Sequence, residues 1–271
     1  MSYKSIIVNL DIDGPSEPLI KFALDIAIRF KARLIGYAAA ESPLPMIAAD
    51  GVFADGQVWQ QIREDIEHRQ KELHREFDRL VAKSVDATWI EDVSEPTRLL
   101  VMTARMGDLI ITGSPHGSSS RNLDRCVDLG SLVLQAGRPI LVAAAEHLPL
   151  KKAIVAWKDT REARRAVADA VPLLAVAGEV IVVTVDRDPD DWTKSGVADV
   201  AAFLGYHGIK ARTEIIKSKD ESDKLSEFVK SSGADLLVSG AYGHTRLREF
   251  IFGGVTRTVL DDNNLNRFMS S

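Results

Sequence analysis

Short runs of apolar, often β-branched residues alternate along this chain with longer stretches in which apolar residues recur every three or four positions. The first pattern is typical of buried strands, and the second of helices that bury one face. Residues 4–11 (KSIIVNLD) and 151–158 (KKAIVAWK) are of the first kind, and a turn and a helical stretch follow each of them. Strands that alternate with helices predict a mainly parallel sheet with helices on both faces.

The same order of elements occurs twice. Apolar positions in the first helix of each half have identical offsets, and they are Leu19, Phe22, Ala23, Ile26, Ala27 and Phe30 in the first half and Ala163, Ala166, Val167, Ala170, Val171 and Leu174 in the second. A later strand also repeats, as GDLIITGS at 107–114 and ADLLVSGA at 234–241. The sequence therefore predicts an α/β fold of two tandem doubly wound domains, residues 1–147 and 148–271, each with a five-stranded parallel sheet and helices on both faces.

Composition narrows the classes of function. The 271 residues suit two domains, and 45% hydrophobic with 27% charged residues is typical of a globular chain. The net charge of −5 argues against non-specific binding to nucleic acid, and no apolar run approaches the ~20 residues that cross a bilayer. We expect a cytoplasmic protein whose partners include neither nucleic acid nor membrane. Cys126 is the single cysteine, which excludes an internal disulfide and a multi-cysteine metal site.

The loop after the fourth strand of the second half is rich in glycine. In an open parallel sheet, ligands bind beyond the carboxyl ends of the strands, where the strand order reverses. Glycine lets the backbone approach a phosphate closely, and amides at the following helix N-terminus point toward the anion. The residues concerned are Gly240, Gly243, Gly253, Gly254, Val255 and Thr256. His244 and Arg246 are candidate phosphate ligands; the alternatives are that they are solvated loop residues and that the glycines serve a simple turn.

The spacing G-x2-G-x9-G-G-V-T, from Gly240 to Thr256, resembles the ATP-binding signature of the universal stress protein family, in which Ser or Thr follows the third glycine. Family members of this length are tandem pairs of five-stranded parallel domains of the adenine nucleotide α-hydrolase-like type. The resemblance implies that the loop surrounds the phosphates and ribose of ATP, with or without magnesium. The sequence departs from the family at Gly254, where a hydroxyl residue is usual, and at Lys158, where an Asp usually meets the adenine.

The first half shows the opposite departures. Asp11 stands at the expected acidic position, but the loop after the fourth strand reads Gly113-Ser-Pro-His116-Gly117, with histidine at the second glycine position. Gly130-Ser131 keeps the end of the motif, although 17 positions separate Gly113 from Gly130 and 13 separate the equivalent glycines of the second half. We predict one adenine-nucleotide site, in the C-terminal copy, and a degenerate or altered site in the N-terminal copy.

The leading hypothesis is a nucleotide-binding stress-response or regulatory protein, and the alternative is a tandem scaffold that binds no nucleotide and serves as an interaction surface. The sequence indicates no paired nucleophile and base and no metal cluster, so we assign no catalytic and no metal residues, and weak ATP hydrolysis stays open. The family pairs the fifth strands of two domains, which a tandem chain can satisfy within itself, and a homodimer of this chain also stays open. The fifth strand of the first half (GRPILVAA) is apolar, whereas NNLNRFMSS at 263–271 predicts a weak last strand.

Overall fold

The computed structural model describes residues 2–42, 56–113, 124–144, 146–241 and 265–271. Its residues divide into two compact units, an N-terminal unit from Tyr3 to Ala136 and a C-terminal unit from Gly137 to Ser271. None of the described helices is both long and apolar enough to cross a membrane.

The N-terminal unit is a parallel sheet with the strand order β3-β2-β1-β4. Its strands are β1 Ser5–Asn9, β2 Arg33–Ala39, β3 Ala87–Asp92 and β4 Leu109–Gly113. Its helices are α1 Glu17–Phe30, α2 Gly56–Val81, α3 Pro96–Thr103 and α4 Leu129–Gln135, with a short 3-10 turn at Ala104–Met106.

The C-terminal unit contains a sheet with the strand order β5-β10-β9-β6-β7-β8, parallel throughout except where β5 meets β10. Its strands are β5 Ile140–Ala143, β6 Lys152–Ala156, β7 Glu179–Asp186, β8 Ala211–Lys217, β9 Leu236–Gly240 and β10 Asn266–Ser270. Its helices are α5 Arg161–Leu174, α6 Asp191–Tyr206 and α7 Glu221–Ser232.

The duplicated α/β fold is confirmed by the strand orders, because β8-β7-β6-β9 reproduces β3-β2-β1-β4. The duplication extends to single hydrogen bonds. The Leu10 amide donates to the Tyr37 carbonyl, and the Trp157 amide donates to the Val183 carbonyl, both at 2.8 Å. The aspartate of the repeated GD and AD sequences has one role in both units. Asp108 accepts a bond of 2.7 Å from the Lys4 amide and Asp235 one of 2.8 Å from the Lys151 amide.

The predicted apolar faces of the two first helices are buried at every position that the sequence indicated. Each buried aliphatic or aromatic side chain of this kind contributes roughly 1.5–3 kcal/mol relative to exposure, so these faces account for much of the attachment of helix to sheet. The Thr160 hydroxyl accepts a bond of 3.2 Å from the Ala163 amide and thereby caps the start of α5. In α5, Pro172 lies in the last turn and the helix continues to Leu174.

The prediction of a weak last strand is wrong. All residues of β10 are buried, and the strand is hydrogen-bonded to β9 on one side and to β5 on the other. Its buried polar side chains have partly buried hydrogen-bond partners on distant segments, which the low hydrophobicity of the strand does not reveal. Asn266 accepts a bond of 3.0 Å from the Ala144 amide and donates one of 3.1 Å to the Asp235 carbonyl, while the Ser270 hydroxyl donates to Asp169 at 2.6 Å.

The two fifth strands of the repeat pair with each other, as the resemblance implied. The strand β5 comes from the first half of the sequence, yet it lies in the C-terminal unit and runs antiparallel to β10, with Leu141 opposite Phe268. The sheet that carries the glycine loop is therefore completed by residues that precede residue 148.

Replacing Asn266 by Ala is expected to lower the free energy of unfolding of the C-terminal unit by about 2 kcal/mol, because it leaves the partly buried Ala144 amide without its acceptor and the Asp235 carbonyl without its donor. Urea unfolding followed by circular dichroism measures this change. Ser231→Ala, which removes an exposed hydroxyl that donates to Phe228, is the control and should change stability by less than about 0.5 kcal/mol. Equal losses in the two variants would contradict the structural role of Asn266.

Candidate functional site

The carboxyl ends of β6 and β9 form the candidate site in the C-terminal unit. The two strands are neighbours, with Ala156 opposite Ser239 in the ladder, and β7 lies on the other side of β6. The chain leaves β6 toward β7 and later returns to β9 on the opposite side, so the strand order reverses between β6 and β9. This is the position at which open parallel sheets bind ligands.

Gly240, the last residue of β9, lies at this position and is buried. A Cβ atom there would lie 2.5 Å from the Ala163 amide nitrogen and 2.7 Å from the Glu162 carbonyl carbon. The space beside its Cα atom is thus filled by the first turn of α5. The glycine at this position is required for the close approach of strand and helix backbones, independently of any ligand.

The other residues of the predicted loop, Gly243, His244, Arg246, Gly253, Gly254, Val255 and Thr256, lie outside the described residues. Their role in nucleotide binding stays a prediction. The last described residue before them is Ala241, whose amide donates a bond of 2.8 Å to the Ser270 carbonyl. The point from which the loop departs is therefore held by β10.

Lys158 and Asp159, which follow β6, form ion pairs with two different helices. The Lys158 ammonium group donates to the Glu221 carboxylate at the start of α7, and both side chains are about one third exposed. Asp159 is 3.2 Å from the guanidinium of Arg164 on α5. At the strand end where the family places a lone acid, this chain therefore has a neutralised pair.

At the equivalent strand ends of the N-terminal unit, polar side chains are hydrogen-bonded to one another. Asn9, at the end of β1, donates a bond of 3.0 Å to the Thr112 hydroxyl on β4 and one of 3.4 Å to Asp11. Asp11 is retained where the family has its acid, as the sequence indicated. The neighbouring loop residues 114–123, including His116 and Gly117, are not among the described residues.

A carboxylate covers the helix N-terminus at the end of the first glycine motif. Asp128 precedes α4 and accepts bonds from the amides of Gly130, at 3.3 Å, and Ser131, at 3.1 Å. The Ser131 hydroxyl also donates to Asp128, at 2.5 Å. An internal carboxylate thus caps the amides at the start of α4.

Arg125 forms ion pairs with two carboxylates in the N-terminal unit. Its guanidinium donates to both carboxylate oxygens of Asp13, at 2.7 and 3.0 Å, and to Asp65 on α2 at 2.9 Å. The hydrogen bond from Arg125 holds the pKa of Asp13 below its usual value. Asp13 and Asp128 are thus both engaged within the protein, and the degenerate or altered N-terminal site stays a prediction.

Sequence reasoning missed both of these features. The pattern of Asp128 followed three residues later by Ser131 at the start of an apolar run is a recognisable helix N-cap signal. The pairing of Arg125 with Asp13 and Asp65 joins residues 112 and 60 positions apart, and no local pattern predicts it. In the described part of the chain, no group of three or more His, Cys, Asp or Glu side chains is arranged to hold a metal ion.

Comparison with known proteins identifies the C-terminal half. The sequence model of the universal stress protein family matches residues 149–262, the segment that contains the candidate site. The match indicates a universal stress protein domain in the C-terminal half. No curated protein sequence matches the chain significantly.

Solved structures extend the universal stress protein fold to nearly the whole chain. A universal stress protein from Archaeoglobus fulgidus DSM 4304 is 15% identical, with 98% of this chain and 96% of that one covered and a TM-score of 0.70. A putative universal stress protein from Pseudomonas aeruginosa UCBPP-PA14 is 16% identical, with 99% and 93% covered and a TM-score of 0.55. A protein of unknown function from Pseudomonas aeruginosa PAO1 is 15% identical, with 99% and 92% covered and a TM-score of 0.56. At these identities the likeness shows a shared fold.

Gly240→Ala is expected to lower the free energy of unfolding by about 1–3 kcal/mol, because the added methyl group overlaps the backbone of α5. Gly113→Ala is the matched control, since it alters the equivalent strand end of the N-terminal unit. The nearest atom to a Cβ there is Leu19 Cδ2 at 3.7 Å, an ordinary contact. Chemical denaturation of the two variants measures the difference, and an equal loss of stability would contradict the packing role of Gly240.

The pair of Asp13 and Arg125 predicts a pH dependence. Because the folded-state pKa of Asp13 is lowered, the pair stabilises the fold above the unfolded pKa of about 3.9, and this contribution is lost as the pH falls through the folded value. Asp13→Asn is therefore expected to destabilise the protein most near neutral pH and progressively less in acid. Urea unfolding between about pH 3 and pH 7 tests this. Asp86→Asn, at an exposed position before β3, serves as the control, and a difference independent of pH for Asp13→Asn would refute the assignment.

Proposed function

We propose that the C-terminal universal stress domain binds an adenine nucleotide, ATP with or without magnesium, and that the chain is a nucleotide-responsive stress or regulatory protein. The proposal rests on one observation above the others. The glycine-rich loop of a universal stress domain begins at Gly240, the position where the strand order of the sheet reverses.

The contrast between the two copies supports a single site. In the N-terminal copy, Asp128 satisfies the amides of Gly130 and Ser131 with a carboxylate. The aligned residue two positions before Gly253 is Ile251, which carries no acceptor. At this position the sequence of the C-terminal copy therefore has no acid, and we expect the amides that follow to be available to a phosphate.

The ion pair of Lys158 with Glu221 alters what a base would meet at the end of β6. A lone carboxylate there would accept a hydrogen bond from the exocyclic amine of adenine. The Lys158 ammonium and the Glu221 carboxylate instead use part of their hydrogen-bonding capacity on each other. We therefore assign most of the proposed binding to the phosphates, with His244 and Arg246 as the candidate cationic ligands.

Binding of ATP to the full chain tests the proposal, by isothermal titration calorimetry with and without magnesium. Gly243→Val is the informative glycine variant, because Gly240 has a packing role and its replacement would perturb the fold. Ile251→Asp copies the N-terminal carboxylate into the C-terminal copy and is expected to weaken ATP binding at least about tenfold, through repulsion of the phosphates.

Ile251→Asn is the matched control, since it has the shape of Asp and the same capacity to cap without the charge. Both variants are checked for native circular dichroism before titration. Absence of saturable ATP binding by the unmodified chain would overturn the proposal. Equal affinities for the Asp and Asn variants would overturn the role of the helix amides.

A second candidate is a tandem scaffold that binds no nucleotide. The neutralised pair of Lys158 and Glu221 favours it, as does the pairing of β5 with β10, which joins the two sequence repeats without a ligand. An adenine nucleotide retained by the protein through purification, identified by mass spectrometry of the denatured sample, would exclude this candidate.

A further inference from the structure

A cavity of about 480 Å³ lies between α5 and α6 in the C-terminal unit, beside the residues that follow β6. Its buried lining is apolar and includes Val167 of α5 and Val200 of α6, which are 3% and 7% exposed. Trp192 and Phe203, both on α6 and both exposed, form part of its outer lining. A concave, mostly apolar site of this volume with a few polar groups is typical of small-molecule binding.

Trp157 places a hydrogen-bond donor in this cavity. Its side chain lines the cavity and the residue is 7% exposed, and within the described ranges its indole N–H has no protein acceptor. The indole nitrogen is not among the buried atoms that lack a partner, so it is accessible from the open cavity. The cavity therefore offers a donor to a ligand that carries an acceptor.

Gly196 keeps the space in front of this donor open. A Cβ atom at Gly196 would lie 3.5 Å from Trp157 Nε1, so a longer side chain at this position would extend over the indole. In the N-terminal unit, Leu10 stands at the position of Trp157, and α1 packs directly against α2. The indole donor is therefore specific to the C-terminal copy.

The rim of the cavity carries an excess negative charge. Asp159 and Arg164 neutralise each other at 3.2 Å. Asp199, on α6, lines the cavity and has no basic side chain within ion-pair distance in the part of the chain that the structure describes. Exposed aromatic faces beside a carboxylate favour a cationic ligand over an anionic one.

We propose that this cavity binds a flat heteroaromatic amine. The ring accepts a hydrogen bond from Trp157 Nε1 and packs against Trp192 and Phe203, and the cationic amine lies at Asp199. The described residues that line the cavity fall between 157 and 203. Trp157 and Asp159 flank Lys158, the position where the resemblance places the adenine, so competition with ATP decides whether the two sites are separate.

Quinine is a suitable probe, because near neutral pH it combines an uncharged quinoline nitrogen with a cationic amine. 6-Methoxyquinoline has the same ring and acceptor without the cation. Equilibrium dialysis against the full chain is expected to show saturable binding of both, with quinine bound about tenfold more tightly. Asp199→Asn should reduce the affinity for quinine to that for 6-methoxyquinoline and leave the latter unchanged.

Gly196→Leu fills the cavity and is expected to abolish binding of both compounds. Gly205→Leu is the matched control, because it makes the same change on the same helix where a Cβ meets no atom within 4 Å. Native circular dichroism of both variants establishes that they fold, and retention of quinine binding by the Gly205 variant supports the site.

Three results would overturn the proposal: no saturable binding of quinine by the unmodified chain, equal binding by the Gly196→Leu and Gly205→Leu variants, or competitive displacement of quinine by ATP. Unchanged quinine affinity in saturating ATP would support a separate site.

Discussion

The C-terminal unit depends on the burial of β10 between β9 and β5. This strand is short and half polar, and hydrogen bonds on both of its edges hold it in the middle of the sheet. The side-chain amide of Asn266 is hydrogen-bonded to backbone groups of both neighbouring segments. The polar residues reduce the hydrophobic contribution of β10, but their hydrogen bonds fix its position between β9 and β5. Without β10, the strand that carries Gly240 would have an open edge and the loop would have no fixed origin.

The two copies differ in the charged and polar groups at corresponding positions. In the N-terminal copy, Asp128 accepts bonds from the amides at the start of α4, and the carboxylates of Asp13 and Asp65 hold Arg125. The sequence of the C-terminal copy has no acid at the position of Asp128, and Trp157 stands where the N-terminal copy has a leucine. One fold therefore accommodates internal ion pairs in one copy and an indole donor beside a cavity in the other.

The repeat, the strand order and the buried faces of α1 and α5 could be predicted from the sequence, because each rests on local periodicity. The candidate site could be located by its glycine spacing, but the reason for Gly240 could not, since Glu162 and Ala163 are far away in the chain. The strength of β10 was misjudged for a similar reason: the partners of Asn266 and Ser270 come from distant segments. Local patterns predict whether a segment is a helix or a strand, whereas the hydrogen-bond partners of its polar residues come from segments that are distant in the sequence.

The close approach of Gly240 to the first turn of α5 reaches beyond the strand end itself. A Cβ atom at Gly240 would overlap the backbone of α5, and the Ala241 amide is bonded to the Ser270 carbonyl of β10. Because α5 also lines the cavity beside Trp157, a substitution at Gly240 that displaces the first turn of α5 would also disturb the wall of that cavity.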